Sequence, residues 1–224
     1  MFTLLRPLQR WVCVAALVTA VGVPNAEVAA QNVSITFNSL TETVPLSGTR
    51  FVNNCYIENG FVFTAVGIGC TGVAAQDAFL AAGPNSPLFG GGATPSLLLN
   101  QSGATMIDVT RSGGGLFNAR SIALAPFDMA MTTVLFTGVR ATGPNVMQSF
   151  ILGAQQNGFQ TFSFSSGFSD LRSLRIDSNN EFGEPFVKMD DVALSVVPEP
   201  ASIALVAAGL GAVAGFARRR RLSC

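Results

Sequence analysis

The chain has 224 residues and a formal net charge of zero, with 12% charged and 49% hydrophobic residues. This length allows one folded domain plus targeting segments, and it excludes two large cores. Residues 31–197 hold eleven acidic and seven basic residues, and no basic stripe runs through them, so nucleic acid is not an expected partner.

The first thirty residues are typical of a signal peptide. Two arginines precede an apolar run, 11–23, that is too short to span a bilayer as a stable helix. A glycine and a proline end the run, which disfavours the alternative of a buried N-terminal helix. Small side chains at Val28 and Ala30 suit a signal peptidase. We therefore predict export, with a signal peptide over 1–30 that is cut before Gln31.

Residues 31–197 are predicted to form an all-β mature domain. Short runs rich in Val, Ile, Phe and Thr alternate with clusters of Gly, Asn, Ser and Pro, the usual pattern of strands and turns. Many short strands without intervening helices favour two packed sheets, and we predict a jelly-roll-like antiparallel β-sandwich. One or two helical turns are expected at 74–82, and a long loop at 83–95. Strands are expected near residues 33–38, 61–66, 105–109, 116–124, 132–139, 146–152, 160–164, 173–177 and 186–197.

Cysteine usage agrees with an exported domain. Cys13 lies in the predicted signal peptide and Cys224 in the tail, so the mature domain retains Cys55 and Cys70. In an oxidising compartment this pair is expected to form a disulfide. The competing reading, a thiol catalyst, lacks a neighbouring base because the chain contains no histidine.

The last predicted strand contains two adjacent acids, Asp190 and Asp191. Its apolar positions change parity at this point, which predicts a β-bulge. Together with Glu42 near the first strand, the two aspartates are candidate ligands of a structural calcium ion. The alternative is a solvated bulge, because no fixed ligand spacing is visible. No other cofactor is expected.

Composition favours a non-enzymatic domain. Without histidine there is no imidazole base and no Ser-His-Asp triad, whereas a glycosidase with two carboxylates stays open because it needs only two acids. A carbohydrate-binding, lectin-like module is the alternative function. Such sites usually present exposed aromatic faces, and the mature region has no tryptophan and one tyrosine, Tyr56.

The C-terminal segment 198–224 combines three features in a fixed order. It begins with Pro198, Glu199 and Pro200, whose prolines hold the backbone extended. An uncharged stretch, 201–217, follows and would cover about 26 Å as a helix, near the lower limit for a hydrocarbon core of about 30 Å. Four arginines come next and belong on the cytoplasmic side of the membrane: Arg218, Arg219, Arg220 and Arg221. The order predicts a transmembrane segment with the domain outside; an uncut C-terminal anchor is the alternative.

These three features together resemble the PEP-CTERM sorting tail of Gram-negative bacteria, over the whole length of that tail. The resemblance implies an inner-membrane precursor, recognition by a membrane-embedded exosortase and cleavage near Pro198, Glu199 and Pro200. It also implies delivery of the mature domain to the cell surface or the extracellular matrix, in association with the exopolysaccharide of a biofilm.

Overall fold

The computed structural model describes residues 30–40, 48–52, 55–67, 70, 79–84, 94–99, 106–126, 131–153, 158–179, 187–198 and 209–211. Within these ranges the domain is built almost entirely of antiparallel strands, and one 3-10 turn, Asn38–Leu40, follows the first strand. The strands are β1 Gln31–Ile35, β2 Thr49–Val52, β3 Cys55–Glu58, β4 Phe61–Ala65, β5 Phe79–Ala82, β6 Ser96–Leu99, β7 Met106–Arg111, β8 Phe117–Pro126, β9 Thr132–Arg140, β10 Val146–Leu152, β11 Gln160–Ser163, β12 Leu171–Asn179 and β13 Val187–Val196.

The strands form two groups that meet at one point. The first group has the order β2-β5-β6-β13-β8, with β1 also paired to β13 and β11 to β8. The second has the order β12-β7-β4-β3, with β9 paired to β12 and β10 to β9. The groups join where Phe117 of β8 pairs with Leu171 of β12. The hydrogen-bonded network is therefore nearly closed.

Aromatic side chains fill the space between the two groups. The rings of Phe61 on β4 and Phe117 on β8 meet edge to face at 5.3 Å between centroids. Phe136 on β9 lies 5.0 Å from Phe164, which directly follows β11. Alternation along β4 buries Phe61 and Phe63 and leaves the residue between them half-buried, as expected for a strand with one face on a core. The arrangement is sandwich-like.

A two-residue turn connects β3 to β4. Asn59 and Gly60 both have positive φ, 48° and 79°, the conformation of a tight hairpin turn whose twist matches that of the strands. Glu58 and Phe61 pair across it. This Asn-Gly pair is a strong local hairpin signal, but β3 is absent from the strands expected above.

The predicted all-β class is confirmed, and each of the nine expected strands overlaps an observed one. The run 146–152 coincides with β10, and the first strand begins two residues earlier than expected. Four strands were missed: β2, β3, β5 and β6. The expectation of helical turns over 74–82 is wrong at 79–82, which form β5, because all four of its residues pair with β2 on one side and with β6 on the other. Residues 74–78 lie outside the described ranges.

Candidate functional site

The two ends of the mature domain lie side by side. β1 runs antiparallel to β13, and Gln31, the residue expected to begin the mature chain, pairs with Val196. Beyond β13 the backbone N–H of Val197 donates to the carbonyl of Leu116, at 3.0 Å. The sheet thus holds the chain up to the residue before Pro198.

The sorting residues lie almost wholly outside the described part of the chain. Of the Pro-Glu-Pro sequence the structure describes Pro198, whereas Glu199, Pro200 and the four arginines Arg218 to Arg221 lie beyond it. Gly209–Gly211 are helical. Among the described residues, no helix is long and apolar enough to span a membrane.

The expected bulge at Asp190 and Asp191 is confirmed. Asp190 pairs with Ala123 of β8, but Ala193 pairs with Ser121, so β13 carries one extra residue between them. Asp191 has a φ of 43°, the left-handed conformation that aspartate tolerates better than most residues. The bulge turns the two carboxyl groups to different environments: Asp190 is 4% exposed, and Asp191 is exposed.

Two hydrogen bonds hold the carboxyl group of Asp190. Its Oδ2 accepts from the Thr94 hydroxyl at 2.6 Å, and its Oδ1 accepts from the Asp191 backbone N–H at 2.8 Å. Burial raises the pKa of Asp190 to about 6, against the lowering effect of these two hydrogen bonds, and the charges of Asp191 and Glu58 add to the rise.

The described residues do not provide a set of ligands for the predicted calcium ion. Glu42, its third expected member, lies outside the described ranges. Among the residues that the structure describes, no group of three or more His, Cys, Asp or Glu side chains is arranged to hold a metal ion.

Glu58 organises the segment that follows β1, a role not inferred from the sequence. Its Oε1 accepts from the backbone N–H of Thr36 at 3.1 Å, and its Oε2 accepts from that of Phe37 at 3.0 Å. The Tyr56 hydroxyl also donates to Oε2. Burial, followed by the hydrogen bond to Glu58, raises the pKa of Tyr56. Phe37, at φ 54°, is thereby fixed with its ring in the core. This cluster supports the fold.

The expected disulfide is present. Cys55, the first residue of β3, is bonded to Cys70, and their Cα atoms lie 5.1 Å apart. The bond ties the β3–β4 hairpin to the segment that leaves β4.

A second bulge on β8 presents an exposed arginine. Ala193 pairs with Ser121, but Leu194 pairs with Ala119, so Arg120 is the extra residue on β8. The two bulges compensate each other: Asp190 opposite Ala123 and Leu194 opposite Ala119 are four residues apart on both strands. Bulges commonly redirect a side chain next to a binding or active site.

Two clefts share this arginine. One, of about 530 Å³, lies over the paired strands β1 and β13 and is lined by Asn32, Val33, Ser34, Ala193 and Leu194 besides Arg120. The other, of about 380 Å³, lies between β8 and the turn from β11 to β12; its lining includes Asn118, Phe164, Ser165, Ser166 and Ser169. We call the second one the Arg120 cleft. Both clefts are open to solvent rather than enclosed.

Hydrogen bonds hold the base of the Arg120 cleft. The buried Ser195 hydroxyl accepts from Asn118 Nδ2 at 3.1 Å and from Arg120 Nε at 3.4 Å. Asn118 Oδ1 accepts from the backbone N–H of Asp170 at 2.9 Å, and the carbonyl of Arg120 accepts from the N–H of Phe164, also at 2.9 Å. The cleft is therefore anchored to three segments of the chain.

The structure thus defines an all-β domain whose last strand leads directly into its C-terminal segment. A family model described as the PEP-CTERM protein-sorting motif matches residues 196–221. The chain therefore carries this motif, which implies export that depends on an exosortase as processing partner. The match begins at Val196, the last residue of β13. No curated protein matches the chain.

Proposed function

We propose that the mature domain is a non-enzymatic component of the cell surface or the extracellular matrix, associated with the exopolysaccharide of a biofilm. The observation that carries this proposal is the continuity between β13 and the sorting motif, which puts the whole β domain on the N-terminal side of the processing site. A domain released at that site keeps its last strand. The absence of histidine from the chain supports a role without an imidazole base or a Ser-His-Asp triad.

The finer features of the precursor belong to the same proposal. They are a signal peptide over 1–30, removed by signal peptidase, a transmembrane helix over 201–217 with its arginines in the cytoplasm, and a jelly-roll order of the strands. The pairing of the first strand with the last supports such an order, because it brings the two ends of the domain together in one sheet.

Cell fractionation tests the proposed location. We expect the processed protein in the matrix fraction of a host that has an exosortase and secretes polysaccharide, and we expect enzymatic digestion of that polysaccharide to release it. A host without the exosortase is the control, and there the precursor should stay in the inner membrane. Processed protein that is found free in the medium whether or not polysaccharide is present would contradict matrix association.

A carbohydrate-binding module is the second candidate, and the Arg120 cleft favours it. Its serine hydroxyls and the Asn118 amide are polar groups of the kind that bind sugar hydroxyls. A glycan array separates the two candidates: selective binding supports the module, whereas retention in the matrix without glycan selectivity supports a purely structural component.

A further inference from the structure

We propose that the Arg120 cleft binds the carboxylate of an acidic sugar, so that the polysaccharide recognised by this domain is one that contains uronic acids. The inference rests on the proposed function, because it names the chemical class of polysaccharide that the domain would meet in the matrix.

The first argument is the orientation of Arg120. It is the extra residue of a bulge in β8, and the compensating bulge at Asp190 and Asp191 restores the strand register on the far side. β8 and β13 therefore remain paired on both sides of the two bulges, and the side chain of Arg120 is exposed. A pair of bulges interrupts the regular ladder of hydrogen bonds between the strands. Bulges are common where a side chain is directed towards a functional site.

The second argument is the set of contacts that Arg120 makes. Its Nε donates a long hydrogen bond to Ser195 Oγ, at 3.4 Å, and no hydrogen bond from its terminal nitrogens to another described residue is seen. Within the described ranges the salt bridge observed is between Arg175 and Asp108, and none involves Arg120. A guanidinium held in this way can donate two parallel hydrogen bonds to a carboxylate.

The third argument is the character of the surrounding groups. The residues lining the Arg120 cleft are neutral except for the arginine, and they include the three serines Ser165, Ser166 and Ser169. Hydroxyl groups can donate to and accept from sugar hydroxyls. A carboxylated sugar matches this combination of one cation and several hydroxyls.

The net charge of the domain favours binding of an acidic polysaccharide at one particular cation over electrostatic attraction to the whole surface. Residues 31–197 hold more acidic than basic side chains, eleven against seven. A polyanion is therefore not attracted by the domain as a whole, and its binding depends on a particular cation. Substitution of that cation should have a much larger effect than substitution of another arginine.

Titration calorimetry on the full-length chain in detergent micelles tests the proposal. The probes are oligogalacturonate and its methyl ester, which differ in the charge of the carboxyl group and keep the same sugar ring. We expect oligogalacturonate to bind and the ester to bind at least about tenfold more weakly, the loss typical of removing one charge-assisted contact. Sulfated dextran is the third probe, and weaker binding of it is expected because its anion lacks the planar carboxylate geometry.

Three variants locate the contact. Arg120→Gln should weaken oligogalacturonate binding by about tenfold or more. Arg120→Lys should retain only part of the original affinity, because lysine keeps the positive charge but lacks the two parallel donors of the guanidinium. Arg111→Gln, which removes the same charge from β7, should bind as the unmodified chain does. Thermal unfolding of each variant checks that the fold is retained.

The outcomes separate this inference from the proposed function. Equal binding of the acid and its ester, preferential binding of sulfated dextran, or equal effects of the Arg120 and Arg111 variants would overturn the acidic-sugar site. The same holds if no probe binds. None of these results changes where the processed protein is found after fractionation, so the proposed location stands or falls on its own experiment.

Discussion

Gly138 on β9 is a position where a missing side chain permits close packing. A Cβ atom at this residue would lie 2.7 Å from Cγ1 of Val146 and 2.8 Å from Cδ2 of Leu171. Leu171 is fully buried, so it has little space to move. We expect Gly138→Ala to lower the free energy of unfolding by about 1–3 kcal/mol, the usual cost of overpacking.

Gly153 provides the control for this substitution. A Cβ atom there would meet no heavy atom within 4 Å. Gly153→Ala should therefore leave the unfolding free energy unchanged or raise it by up to about 1 kcal/mol through a less flexible unfolded chain. Urea unfolding of the two variants makes the comparison, and equal destabilisation by both would contradict the packing argument.

Asp190 should make stability depend on pH. Its pKa is about 6 in the folded protein against 3.8 ordinarily, so between these values the folded state binds more protons than the unfolded state. The contribution of Asp190 is fully present below about pH 4 and is lost as the pH rises through about 6. We expect Asp190→Asn to flatten this part of the profile, because an amide does not titrate.

Urea unfolding between pH 4 and pH 7 measures the effect of Asp190. Glu58 and Asp191 add their charge to its environment, and Asp177, whose pKa burial also raises, should leave a smaller slope of the same sign in the variant. Identical slopes for the variant and the unmodified chain would show that Asp190 does not cause the dependence.

At the scale of elements, the disulfide constrains the β3–β4 hairpin and the segment after it. Cys55 and Cys70 are separated by 15 positions, and closing a loop of this size restricts the unfolded chain. The double variant Cys55→Ala/Cys70→Ala should lose about 3 kcal/mol of unfolding free energy. Cys224→Ala, a cysteine outside the pair, is the matched control and should lose none.

Mass spectrometry complements this measurement on protein produced in an oxidising compartment. Reduction should add two hydrogens to the processed domain, and the double variant should show no such shift. Two free thiols in the unreduced protein, or equal stabilities of the double variant and the control, would refute the bond.

β13 links the fold to the sorting motif. It pairs with β8 along one edge and with β1 and β6 along the other, so it is an interior strand of its group. The family match starts at its final residue, Val196. Interior strands contribute hydrogen bonds on both sides, and removal of this one would free one edge of β8 and of β6 and take away the partner with which β1 pairs in the described part of the chain. Processing after Val196 preserves the domain.

At the scale of the whole molecule, the proposed function predicts that the tail controls release from the membrane. Glu199→Ala should spare export and insertion, because neither depends on that side chain, but it should impair recognition by the exosortase. The uncut precursor should then accumulate in the membrane fraction, as measured by immunoblotting. Ser202→Ala, a neighbouring substitution outside the Pro-Glu-Pro sequence, is the control and should be processed normally.

A deletion of the four arginines 218–221 should act differently. It removes the positive charges that are proposed to hold the end of the chain in the cytoplasm, so it should disturb topology before any processing step. Efficient release of both the Glu199 variant and the deletion variant would show that the segment does not act as a sorting signal.

The features that the sequence by itself determined depend on local chemistry. Alternation of Phe162 and Phe164 with polar neighbours predicted β11, because strand faces alternate at every residue. The change of apolar parity around Asp190 predicted the bulge, and composition predicted the pairing of Cys55 with Cys70. The sorting motif was readable because it is a contiguous linear signal.

Tertiary structure alone decided the features that depend on strand pairing. β5 and β6 are short apolar runs whose periodicity does not distinguish strand from helix, and their neighbours settle the choice. The Asn59-Gly60 turn, by contrast, is a local sequence signal for the hairpin of β3 and β4, and the strands expected above did not include β3. Arg120 is different, because nothing in its own neighbourhood in the sequence marks it as a bulge residue. Its orientation follows from the register between β8 and β13, which are separated by more than sixty residues, and only the folded sheet brings them together.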